Sequence, residues 1–72
     1  MTHTGIWAKI DKVAEIKGIT VSALARECKL DATAFNKSKR FSAQGQPRWP
    51  SVGTISKVIE ASGLSDREFF EL

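Results

Sequence analysis

Residues 18–40 read GITVSALARECKLDATAFNKSKR. Gly18 supplies the left-handed residue that stops a preceding helix, and Ile19 folds back on its last turn. Thr20 then caps a helix over about 21–28. Leu30 follows a short break, and Asp31 caps a further helix over about 32–40. The apolar positions are Leu24, Ala25, Cys28, Leu30 and Phe35. Two short helices joined by so brief a turn cross steeply. Ala25 is small where their backbones approach, and Leu30 and Phe35 bring the second helix onto the core of the first. That second helix is left with an exposed face of Ala32, Thr33, Asn36, Lys37 and Arg40.

Outward from this pair, the same signals recur. Residues 4–17 carry Ile6, Ile10, Val13 and Ala14 at helical steps, flanked by Trp7, with Thr4 as cap. Residues 41–50 hold Gly45, Pro47 and Pro50 and read as a loop. Ser51 caps a helix over about 52–61 with Ile55, Val58 and Ile59 inward. Gly63-Leu64-Ser65 repeats the device of Gly18-Ile19-Thr20. Ser65 and Glu68 form a capping box for a last short helix holding Phe69, Phe70 and Leu72. No stretch alternates β-branched and polar residues over strand length. The expectation is an all-α single domain, residues 1–72, of about five short helices. Trp7 and Trp49 are expected in the core, Trp49 sealing the loop over the domain. Phe69 and Phe70 are expected to close the core, an exposed dimer contact for one of them being the alternative. His3 lies in a terminus expected to fray and receives no role.

Composition narrows the classes. The chain has 72 residues, 42% of them hydrophobic, which suits one globular domain. No apolar run reaches the roughly 18 residues of a membrane span. The N-terminal stretch holds acids and no apolar block, unlike a signal or transit peptide. Cys28 is alone, which excludes a disulfide framework and a cysteine-rich zinc site and marks it as a packing residue. A reducing, cytoplasmic setting follows. One His, no second Cys, no glycine-rich phosphate loop and no paired carboxylates make an enzyme the weakest class, and no cofactor or metal is expected.

Charge is informative in its distribution. Net charge is +3; residues 36–50 alone sum to +4 from Lys37, Lys39, Arg40 and Arg48, and residues 51–72 sum to −2. Such a segment attracts phosphate.

Residues 20–40, with FNKSKRF at 35–41 and PRWPS at 47–51, resemble the helix-turn-helix of the lambda-repressor-like DNA-binding family. The likeness is to the N-terminal domains of phage-type and LexA-like repressors of the serine–lysine self-cleaving class. It covers essentially the whole chain and implies their five-helix fold. It implies that the helix over 32–40 enters the major groove of double-stranded DNA as the reading element of a transcriptional repressor. Ala32, Thr33 and Asn36 are then the base readers, Asn for an adenine edge and Ala or the Thr methyl for thymine. Thr20, Ser22, Lys37, Lys39, Arg40 and Arg48 are the phosphate ligands. The chain departs from the family pattern at three places. Val21 replaces a frequent Gln. Lys29 stands where Gly is frequent. Ser38 replaces an apolar residue, leaving a gap for Phe41 or Trp49 to cover.

The resemblance further implies a homodimer on a two-fold operator, with this domain alone monomeric or weakly dimeric. It implies a longer parent chain whose downstream domain holds the self-cleaving Ser/Lys pair. The competing class is a helix-turn-helix used for protein contact or another DNA role, such as an antitoxin or excision factor.

Overall fold

The structure, a computed structural model, describes all residues from Met1 to Leu72. It is strand-free and mostly helical. Four α-helices follow one another: α1 His3–Lys17, α2 Val21–Glu27, α3 Val52–Ser62 and α4 Asp66–Phe70. No helix is long and apolar enough to cross a membrane.

Local capping chemistry sets most of the boundaries. The Thr2 hydroxyl, not that of Thr4, accepts from the Gly5 amide and starts α1. Thr20 accepts from Ala23, Ser51 from Thr54, and Ser65 forms the expected capping box with Glu68. These bonds satisfy amides that a helix start leaves without partners. They also hold the Glu68 carboxyl below its ordinary range, chiefly through the bond from the Ser65 amide.

The ends of α1 and α2 use one device. Gly18 is left-handed, φ 67°, and the amides of Gly18 and Ile19 bond to the carbonyls of Glu15 and Ala14. At the end of α2, Lys29 takes φ 62°, and the amides of Lys29 and Leu30 bond to Arg26 and Ala25. A lysine thus occupies a conformation that glycine adopts without steric cost. Lys29→Gly is expected to raise the unfolding free energy by about 0.5–1 kcal/mol, the relief of left-handed strain less the added freedom of the unfolded chain. Urea unfolding measures this, and a variant no more stable than wild type would refute it.

Twelve residues form one core: Ile6, Trp7, Ile10, Val13 and Ala14 of α1, Leu24, Ala25 and Cys28 of α2 and its cap, Phe35, Val58, Ile59 and Phe69. Burial pushes the Cys28 thiol above its ordinary pKa, in keeping with a packing role. Lys17 ties three helices together, pairing with Glu27 at 3.1 Å and donating to the Ala61 carbonyl at 2.9 Å. Phe69 is fully buried and Phe70 is 45% exposed, so only one of the adjacent rings closes the core.

The helix expected over 32–40 is absent. Residues 31–36 make tight turns, with Ala34 bonding to Asp31 and Asn36 to Thr33, and Lys37–Lys39 form a single 3₁₀ turn. Between them Asn36 is extended, φ −64° and ψ 148°. Asp31 Oδ1 accepts from both the amide and the hydroxyl of Thr33, at 2.8 and 2.6 Å, the bonds of a helix cap with no helix following. One interaction stands in place of the α-helical ladder here. The Phe35 carbonyl, which an α-helix would give to the Lys39 amide, instead accepts from the Arg40 guanidinium at 2.9 Å. Residues 31–40 are called the reading segment below, after the role the sequence leads one to expect of them.

Candidate nucleic-acid interface

The reading segment is held by its last residue. The Arg40 guanidinium donates to both carboxylate oxygens of Asp11, at 2.6 and 2.9 Å. It also lies 4.8 Å from the Trp7 ring centre. Arg40 is 8% exposed. The phosphate role expected of it is therefore not open to its side chain: both terminal nitrogens are held on Asp11, which ties the segment to α1. A fork-shaped guanidinium suits this double contact and a lysine does not.

The other expected phosphate ligands differ from it. Lys37, Lys39 and Arg48 are exposed, and none takes part in the chain's four ion pairs. They stand on two sides of the segment. Lys37 shares a cleft with Asn36, Val21 and the α1 residues Asp11 and Glu15. Lys39 and Arg48 share another with Ala34, Trp49, Ser51 and Thr54. Thr20 is exposed with its hydroxyl engaged at the α2 cap, and Ser22 beside it is half-buried. Val21 brings that helix start next to Asn36.

Of the expected base readers, Asn36 is half-buried and its amide group makes no hydrogen bond within the chain. Thr33 is exposed, its hydroxyl committed to Asp31, so its methyl and spare lone pair are what it offers outward. Those same bonds from Thr33 hold the Asp31 carboxyl below its ordinary range. Ala32 is half-buried. Ser38 is exposed.

After Arg40 the chain turns back on itself. Phe41 and Pro47 form an isolated antiparallel bridge, and the Ser42 amide bonds to Gln46 at 2.8 Å. The Ser42 hydroxyl accepts from the amides of Gln44 and Gln46. The loop expected over 41–50 is thus an ordered hairpin. Trp49 is 55% exposed and Phe41 50% exposed, against the expectation that Trp49 seals the core. Trp7 fills that place, and its indole N–H donates to the Arg48 carbonyl at 2.9 Å.

His3 is the residue that sequence reasoning missed. It is the first residue of α1, and its Nε2–H points at the carbonyls of Arg40 and Arg48, at 2.8 and 3.0 Å. Its ring packs against Phe41 and Trp49 with centres 4.8 and 5.8 Å away. A signal was present: His3, Trp7 and Asp11 recur at steps of four and form one stripe of α1 that receives the hairpin and Arg40.

Neither a protein-family model, nor a curated protein, nor a solved structure matches the chain.

Proposed function

We propose that the chain is the DNA-reading domain of a sequence-specific transcriptional repressor of the lambda-repressor-like kind. In this reading the segment 31–40 faces the major groove of double-stranded DNA. Asn36, Thr33 and Ala32 meet base edges. Lys37, Lys39 and Arg48 meet phosphates, with Thr20 and Ser22 at the start of α2 as neutral partners. Arg40 acts through the segment it positions. The observation that carries the reading is the acid-free run from Ala32 to Ile59, in which Lys37, Lys39 and Arg48 stay exposed and unpaired on the segment and its hairpin, with an unengaged Asn36 amide between them and α2. Phosphate contacts of this kind fix register, and base-edge contacts discriminate. A pair of such domains suits a two-fold operator, one domain alone being monomeric or weakly paired.

The test is selection of binding sequences from random duplex DNA, repeated with two variants. Asn36→Ala is expected to relax preference at one base position, at a cost of about 1–3 kcal/mol there. Lys37→Ala is expected to weaken all sequences alike. If wild type selects no sequence, or both variants select as it does, the reading fails. Retained interaction with a protein partner by a variant lacking the exposed cations would favour the protein-contact class instead.

A further inference from the structure

We propose that the hairpin 41–48 is a second DNA-contacting element, a wing that lays Gln44 and Gln46 in the minor groove beside the reading segment while Arg48 at its base holds a phosphate. The proposal rests on the DNA-reading function above and adds a second groove to it.

The hairpin is ordered without serving the core. No residue from Phe41 to Trp49 is buried. Fixing each backbone residue costs roughly 1–2 kcal/mol, and apolar burial is the usual compensation. Here polar bonds do the work. Ser42 closes the tip through its amide and hydroxyl, and the Gly45 amide bonds back to the Ser42 carbonyl at 2.9 Å. At the base, the Arg48 amide bonds to the Arg40 carbonyl, while His3 and Trp7 grip the Arg48 carbonyl from α1. A surface loop held this firmly by side chains of another element is a rigid support for what it displays.

What it displays suits a nucleic-acid groove. Gln44 and Gln46 are exposed on either side of Gly45, whose φ of 80° allows the tight tip. Both carry amide donors and acceptors. Arg48 adds an unpaired cation, and no acid lies in the hairpin. The minor groove offers acceptors at every base pair and a donor on guanine, and Arg, Asn and Gln are the side chains that read it. The exposed rings of Phe41 and Trp49 gather around His3 at the base and leave the tip polar. That arrangement suits a hydrated, anionic groove better than an apolar protein surface. Because Phe41 directly follows Arg40, a segment seated in the major groove brings the hairpin against the adjoining strand.

The experiment compares wild type with Gln44→Ala/Gln46→Ala, whose altered side chains are exposed and bond to nothing in the fold. Binding is measured on the duplex selected by wild type, with hydroxyl-radical footprints. It is then repeated with inosine for guanine or diaminopurine for adenine in the flanks, which changes only the minor-groove amino group. Wild type is expected to protect a flanking minor-groove stretch and to change affinity severalfold with the base analogues. The double variant is expected to lose both responses and to bind roughly five- to twentyfold more weakly, with its circular dichroism and major-groove preference unchanged. Equal footprints and affinities in the two proteins would overturn the wing while leaving the reading domain intact. Wild-type protein that binds no duplex at low salt would overturn both.

Discussion

Asp11→Ala is expected to lower the unfolding free energy by about 3 kcal/mol, because it strands a buried guanidinium. The Arg40 side chain is 10% exposed, and Asp11 supplies the acceptors for two of its nitrogens. Its Nε is already buried without a partner. Removing the carboxylate leaves one hydrogen bond, to Phe35, and the Trp7 ring face. The 40% exposure of Asp11 lets water enter the vacated place, which keeps the cost near the low end of the range for broken buried pairs. In a domain this small a loss of that size lowers the melting temperature by roughly 12–24 °C. Replacing both partners, as Asp11→Ala/Arg40→Met, is expected to recover part of the loss, since no charge is then left unpaired. Urea unfolding of the two single variants and the double variant measures the coupling. A single variant within about 1 kcal/mol of wild type would mean that Arg40 finds solvent easily and does not clamp the reading segment.

The same pair explains where sequence reasoning stopped. Helix ends at Gly18, Thr20, Ser51 and Ser65 were legible because each is decided by bonds within a few residues. The device at Lys29 was legible as a position that glycine would suit, and the lysine takes the left-handed conformation there. The helix expected over 32–40 was not. Its pattern of Phe35 inward and polar residues outward fits a helix, but Arg40 takes the Phe35 carbonyl and reaches 29 residues back to Asp11. Nothing in the spacing of 32–40 announces the contact with Asp11. Arg40 looked like one more cation in a cluster; only its pairing separates it from Lys37, Lys39 and Arg48. Trp49 failed for a related reason. Trp7 occupies the interior, and the aromatic seat left for Trp49 is the partly open one around His3. The sequence clue to all three was the stripe at steps of four, His3, Trp7 and Asp11, which pure apolar periodicity passes over.

Removing the exposed cations together, as Lys37→Ala/Lys39→Ala/Arg48→Ala, is expected to weaken DNA binding about a hundred- to a thousandfold near 0.1 M salt. Each phosphate neutralised by a cation contributes about 0.9 to the log–log salt slope. Four to six neutralised phosphates would give a slope of about −4 to −5, but that count includes Arg40. With Arg40 committed to Asp11, three free side chains bring the expected wild-type slope to about −3. The triple variant is expected to show a slope near zero and little binding. Two comparisons separate this from a general effect of lost charge. Lys57 lies in the same acid-free run, but on α3, in a cleft to which no residue of 31–48 contributes. Lys57→Ala is therefore expected to leave the slope unchanged. The triple variant is expected to unfold like wild type, since none of its three cations joins an ion pair. Fluorescence anisotropy over a salt series measures all of this. A slope that Lys57→Ala flattens as much as any other single change would place the DNA on no particular face. A triple variant that keeps the wild-type slope would move the phosphate contacts away from the reading segment and its hairpin altogether.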